Sequence, residues 1–363
     1  MNSKKNTIRF ILILLLPFSI GLVYISSMHQ NIVEKIYTGR IYRSIIAAMN
    51  AVLGRLPFSF AETILIIFSL AAIFYIALKL VCIIKRKSFR LFGDLLLNIL
   101  SAISVIYFLF IILWGLNYYR LPYSKIAGLD VRPASVSELR QVCGSLIDRA
   151  NTLREKVHQN GKGCMYIYGG YKSAFKRAHT GFDNASKTNP KLFSLYGFPK
   201  PVLLSKLMSY TGITGVYFPY TGEANVNIDQ PDSMILSTAC HEMAHQRGFA
   251  REDEANYISY FVCMQNPDAD FQYSGVLLAL INSMNALYTH DKKAYLELTK
   301  KYSSGLIRDL KQNNLYWKKH EGNLQKISDR INDAYLKSNM QNDGVYSYGR
   351  MVDLIIAEYR KSR

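Results

Sequence analysis

The chain has 363 residues, half of them hydrophobic, and 44 Lys and Arg against 26 Asp and Glu give it a formal net charge of +18. The apolar residues crowd into the first third, which sets aside an ordinary soluble two-domain protein, and the basic excess comes without a recognition motif, which sets aside nucleic acid as a partner. Five cysteines are too few and too scattered for a disulfide scaffold.

In chain order, the stretches 8–25, 64–84 and 95–116 are each predominantly apolar and long enough to cross ~30 Å of hydrocarbon as helices. The first follows Lys4, Lys5 and Arg9 like a signal sequence, but no small-x-small cleavage site follows it, so it reads as a retained anchor. Lys85, Arg86, Lys87 and Arg90 crowd the link between the second and third spans. Basic clusters of this kind stay in the cytoplasm, so the N-terminus is expected inside and everything after Tyr119 outside. Between the first two spans, Ile32, Ile36, Ile41, Ile45, Met49 and Leu53 recur at four- and five-residue steps. They predict an amphipathic helix over about 31–54, lying on the outer membrane surface or packed against the external domain, and ended by Pro57. Residues 1–118 are thus a membrane region with the lipid bilayer as partner, and 119–363 an extracytoplasmic domain.

The aromatic run Asn117-Tyr118-Tyr119-Arg120-Leu121-Pro122 supplies interface anchors and then a break. Within 119–363, 32 Lys and Arg face 23 Asp and Glu, a surface suited to anionic headgroups or wall polymers. A long helix is predicted over 135–159, capped by Ser135 or Ser137 with Glu138 in its first turn. A glycine-rich stretch (161–170) and a helix near 171–186 follow. The segment 216–229 is the best strand candidate, although Pro219 and Gly222 interrupt it. Helices are then predicted over 233–247, 252–265, 271–288, 292–302, 304–320, 324–339 and 347–361, giving an α-rich α+β domain with a small sheet.

The first of these helices holds the chemistry. His241-Glu242-Met243-Ala244-His245 puts two imidazoles four residues apart, hence ~40° apart around a helix, where they can share one metal ion. Glu242 is turned about 100° from His241, poorly placed as a ligand but able to deprotonate a metal-bound water. Asp232 is a plausible cap for the helix and Gly248 a plausible end. The chain then reverses into Arg251-Glu252-Asp253-Glu254-Ala255-Asn256, whose acids suit a helix start in any case. A catalytic zinc site needs a third protein ligand, however. Glu252 is the preferred candidate, with Asn256 one turn on as its hydrogen-bond partner, and Glu254 is held in reserve. Cys240 points away from His241 and reads as a small buried residue.

The pattern H-E-x-x-H followed by Glu252-Asp253-Glu254-Ala255-Asn256 resembles the gluzincin-type metallopeptidases, whose third ligand opens such a helix. The metzincin pattern fails, because the place of its third histidine holds Arg251. Further motifs are Trp114-Gly115-Leu116-Asn117-Tyr118-Tyr119-Arg120, Tyr220-Thr221-Gly222-Glu223-Ala224-Asn225, His241 through Ala250, and Ser347-Tyr348-Gly349-Arg350. Together they resemble the bacterial domain-of-unknown-function family 3810 over nearly the whole chain. That resemblance implies a membrane-anchored protein with a zincin-like zinc peptidase domain and no particular substrate.

The expected function is therefore zinc-dependent hydrolysis of a protein or peptide at the membrane. Zn2+ sits on His241, His245 and Glu252, Glu242 is the general base, and the strand before the site pairs with an extended substrate. Tyr257, Arg251 and Tyr348 are candidates to steady the oxyanion. The alternatives are a catalytically inactive membrane scaffold of the same fold and, third, a transporter component.

Overall fold

The structure is a computed structural model that describes residues 2–193, 197–339 and 350–361. Three of its helices are long and apolar enough to cross a membrane: α1 (Asn2–Met28), α3 (Phe60–Arg86) and α4 (Phe89–Leu113). Their side chains are mostly uncovered by protein, as lipid-facing residues should be. Ser59 and Ser88 cap α3 and α4 by accepting from the backbone N–H groups of Glu62 and Leu91. Arg9 of α1 pairs with Asp94 of α4 and donates to Asn98 at 2.9 Å, tying the two helices together at the end far from the folded domain.

The third span ends at Leu113, earlier than expected. Gly115–Tyr119 tightens into a 3-10 turn, and Leu116, Asn117, Tyr118 and Tyr119 are all buried. The aromatic run is therefore packed into protein; it is not a headgroup anchor.

The segment between α1 and α3 also departs from expectation. Val33–Tyr42 is a π-helix, continued by α2 (Arg43–Leu53). The segment buries Val33, Tyr37, Thr38, Tyr42 and Ile46 against protein, and the apolar stripe among them steps by four or five because i→i+5 bonding lengthens the helical repeat. The predicted stripe of Ile32, Ile36 and Ile41 lies half-exposed on the other face. The Tyr37 hydroxyl donates to the Ile112 carbonyl at 3.0 Å, which holds this segment against the end of α4.

In the folded domain, α5 (Val136–Arg154) opens with a full capping box between Ser135 and Glu138 and ends short of the predicted Gln159. The helix expected over 171–186 is two, α6 (Gly170–Arg177) and α7 (His179–Ser186). The single predicted strand is a hairpin: Pro219 and Gly222, the latter at φ +68°, turn the chain between β2 (Gly215–Phe218) and β3 (Glu223–Asn227). A parallel β1 (Lys200–Val202) completes the order β1-β3-β2, so β2 is an edge strand with Val216 opposite Asn225. The short α8 (Ser205–Tyr210) connects β1 to β2.

Helices α9 (Asp232–Gln246), α10 (Glu252–Gln265) and α11 (Ala269–His290) form the middle of the domain, packed on α5 and the sheet. Asp232 is not the cap of α9; Pro231 holds that position, and the Asp232 carboxylate accepts from the Ile167 backbone N–H. α12 (Lys292–Thr299), α13 (Ser304–His320), α14 (Asn323–Ser338) and α15 (Met351–Lys361) complete the chain. The Ser347-Tyr348-Gly349 motif lies outside the described residues. All five cysteines are free. The fold is thus mostly helical, with a three-stranded sheet and three candidate spans.

Candidate metal centre

His241 and His245 sit on the last two turns of α9, and their Nε2 atoms lie 3.0 Å apart. Gly248, at φ +81°, reverses the chain, and α10 begins with Glu252 facing them. Its Oε2 is 3.2 Å from His241 Nε2, and its Oε1 is 3.6 Å from His245 Nε2. These three side chains could hold a metal ion, with donor atoms all within 4.8 Å of one another. For bonds near 2.05 Å, a tetrahedral ion separates its donors by about 3.3 Å, so zinc fits the spacing. The tautomer fits as well. His245 Nδ1 is 2.7 Å from the Phe249 carbonyl, so Nδ1–H donates there and leaves the Nε2 lone pair for a metal.

Glu242 is on the same helix and buried, one carboxylate oxygen accepting from the Tyr217 backbone of β2. Its Oε2 is buried with no hydrogen-bond partner among the described residues, the state expected of a carboxylate kept for another purpose. Burial pushes its pKa up to about 7, against the lowering effect of the two histidines. At His245, burial opposes the charged form, but the Glu252 carboxylate outweighs it and lifts the imidazole to about 9. At Glu252, burial works the other way and is outweighed by the imidazoles, which hold its carboxyl well below the ordinary range.

The remaining sequence candidates are distributed as follows. Asn256 lines the cavity that contains the histidines, Glu242 and Glu252. Glu254 is turned away from them, accepting from the Tyr123 backbone N–H at 2.7 Å and from Arg251 at 3.2 Å. Tyr257 packs at a tilt against Tyr123 and hydrogen-bonds Glu358 beyond the cavity wall, and Tyr348 lies outside the described residues. Cys240 is buried in the core.

Several residues around the site were given no role there by the sequence, although Trp114 and Arg120 belong to one of the family motifs. Trp114, from the end of α4, donates from its indole to the His245 carbonyl at 3.3 Å and meets the His245 ring edge-on. Tyr42, from the π-helix, shares a 3.0 Å hydrogen bond with the Tyr217 hydroxyl and donates to the Gln246 carbonyl. Arg120 binds Glu34 with two nitrogens at 2.8 and 2.9 Å, donates to the Gly248 carbonyl and lies over the Phe249 ring. Segments that touch the membrane region thus hold the C-terminal end of α9 from three sides. The cavity itself encloses about 600 Å³, walled by Phe110, Trp114, Tyr118, Tyr217 and Tyr335 and by residues 211–215.

The family described as "Protein of unknown function (DUF3810)" matches residues 37–356. The chain belongs to that family. The match begins inside the π-helix and takes in two of the three candidate spans and the His241–His245–Glu252 cluster. No curated protein and no solved structure matches the chain significantly.

Proposed function

We propose that this DUF3810 protein is a membrane-anchored zinc metallopeptidase of gluzincin type, with a zincin-like domain on the extracytoplasmic side. The observation that carries the reading is Glu242: a carboxylate buried without a partner on one oxygen, in the wall of the same cavity as a His-His-Glu donor set. His241, His245 and Glu252 would hold Zn2+, which when bound lowers the pKa of water and polarises a carbonyl. The rest falls to the chain. With a pKa near 7, Glu242 can take a proton from the attacking water and return it to the leaving amine. Water adds across the amide, the C–N bond breaks, and acid and amine are released. β2 offers an edge along the cavity against which an extended peptide can pair. The placement of the domain outside the cytoplasm rests on the basic clusters at the opposite ends of the spans.

The test is made on the full-length protein in detergent. It is expected to contain about one zinc per chain, and His241→Ala or Glu252→Gln should lose it. Glu242→Gln should keep zinc and fold while hydrolysis falls by about 10²- to 10⁴-fold. Membrane and surface proteins from cells carrying wild type or Glu242→Gln would then differ in their N-termini, identifying substrates. Unchanged activity in Glu242→Gln would sink the enzyme reading and favour an inactive scaffold. A wild-type chain without zinc would sink the ligand assignment.

A further inference from the structure

We infer that the cavity beside the donor cluster opens toward the lipid, and that its substrate is a polypeptide tethered in the same membrane; the substrate half of this rests on the peptidase reading. The first observation is that a spanning helix forms part of the cavity wall. Phe110 lies within α4, inside the stretch apolar enough to cross a bilayer, and it lines the cavity together with Trp114 and Tyr335. Phe110 meets Tyr335 of α14 edge-on at 6.2 Å, closing one side. The β2–β3 hairpin rests on the same span, with the Tyr220 hydroxyl donating to the Ile106 carbonyl at 3.0 Å, a turn deeper than Phe110. Trp114 packs on His245, so the donor cluster lies within one side chain of the membrane end of α4.

The second observation concerns the flanks. The cavity is walled in part by the loop 211–215 after α8 and by residues 328–335 of α14, and Gly212 of the loop lies against Gln325 of that helix. Beyond both walls the surface is apolar and uncovered. Leu203 is 79% exposed and Leu207 56%, and the backbone N–H groups of Leu203 and Leu204 donate to Glu62 in the first turn of α3. That leucine face is therefore held where a second spanning helix begins. On α14, Leu324, Ile327 and Ile331 are 56, 53 and 66% exposed and recur at i, i+3 and i+7. Lys326 and Arg330 share that helix with Asp329, Lys337 pairs with Asp333 at 2.8 Å, and Lys318 and Lys319 precede it with Glu321. An exposed apolar stripe on a helix whose charges are mixed with a basic excess suits a helix lying in a headgroup layer.

Apolar surface beside both of these wall segments, next to two lipid-facing helices, hinders entry from water and eases entry along the bilayer. A chain anchored in that bilayer is also concentrated at the mouth by its tether. The outer edge of β2, engaged at the Tyr217 N–H by Glu242 and otherwise facing the cavity, with Val216 43% exposed, suits an extended polypeptide better than a lipid.

Full-length protein would be reconstituted in phosphatidylethanolamine–phosphatidylglycerol vesicles. Leu203→Cys, Ile331→Cys and, as control, Lys293→Cys would each be labelled with a fluorophore in a Cys82→Ser background. Bromine-labelled lipids are expected to quench the first two by half or more and leave the third unchanged. In parallel, a library of fluorescence-quenched decapeptides would be offered with and without an N-terminal palmitoyl chain. The tethered set is expected to be cut at least tenfold faster, and Leu203→Asp with Leu207→Asp should bring that ratio down toward one. Unquenched labels at 203 and 331 overturn the lipid-facing mouth. Equal rates for the two peptide sets overturn the tethered substrate and leave the peptidase standing. Hydrolysis of neither set by zinc-loaded protein ends the peptidase reading and the substrate assignment together, while quenching still decides the mouth. Release of fatty acid from the vesicles alone, with both sets intact, overturns the polypeptide in favour of the lipid.

Discussion

Glu242 and the backbone of β2 meet at a point with no room for a side chain. A Cβ on Gly215 would stand 2.5 Å from Glu242 Oε1 and 2.7 Å from its Cγ, closer than real contacts allow. Gly215→Ala must therefore move the carboxylate or the strand, whereas it touches none of the three donors. The expected result is full zinc content with hydrolysis lowered at least tenfold, and the two are separated by metal analysis and a peptide assay on one preparation. A fall in zinc content would show instead that β2 shapes the donor cluster. The donor pair was legible from sequence because i,i+4 spacing on a helix leaves little freedom. Choosing between Glu252 and Glu254 was harder, since both open the same helix. The difference lies in Tyr123, whose N–H engages Glu254, and that contact is 131 residues away in sequence. The crowding of Glu242 by Gly215 was equally invisible, because it depends on a strand laid across α9.

Among the elements, the clamp between α5 and α15 gives a pH-dependent prediction. Glu138 closes the capping box with Ser135 and accepts from Arg360 at 2.8 and 3.1 Å, while Arg360 also donates to the Arg132 and Pro133 carbonyls. The Arg360 guanidinium, helped by the Ser135 N–H, holds the Glu138 carboxyl down at about 2 against an ordinary 4.5. A folded value below the unfolded one means the contribution is complete above 4.5 and fades as pH falls toward 2. Glu138→Gln should therefore melt below wild type at pH 7, and the gap should narrow between pH 4.5 and 2 and shrink in high salt. A gap independent of pH, measured by thermal unfolding, would assign the effect to the cap alone. This helix start was readable as S-x-x-E before an apolar run. The π-helix was not. The stripe of Ile32, Ile36 and Ile41 and the stripe of Val33, Tyr37 and Tyr42 both recur at four- and five-residue steps, and only the tertiary partners of Tyr37 and Tyr42 decide which turns inward. For the hairpin, Pro219 and Gly222 were visible as interruptions, but one strand with a flaw and two strands with a turn share the same β-branched and aromatic residues.

At the scale of the molecule, the spans are built into the folded domain and do more than tether it. Glu223 of β3 accepts from the backbone N–H groups of Phe60 and Ala61 at 3.2 and 2.7 Å, so a strand of the sheet caps a spanning helix. Lys200 of β1 donates to the carbonyls of Gly54 and Leu56 just before that helix. Tyr42, Ile46, Trp114 and Tyr118 form a core with Tyr217 and Ala250, drawing on residues from both sides of position 119. Hydropathy shows where spans lie, but it carries no information about what their ends touch. The fragment 119–363, which begins where the sequence puts the domain boundary, should therefore fold poorly. It loses Tyr42, Ile46 and Trp114 from one core; truncating a single large buried side chain costs about 2–5 kcal/mol. With roughly 2–4 °C per kcal/mol for a domain of this size, the fragment should melt at least 10 °C below the full chain. Its zinc affinity should fall too, because Trp114, Tyr42 and Arg120 contact the segment that carries His245 and Gly248, and the cut removes the first two outright and takes Glu34 from the third. Full-length Glu223→Ala should lie between the two, since it frees the start of α3 and leaves the aromatic core in place. If 119–363 melts and binds zinc like the intact protein, the membrane region is only an anchor, and the aromatic core it shares with the domain contributes nothing to the site.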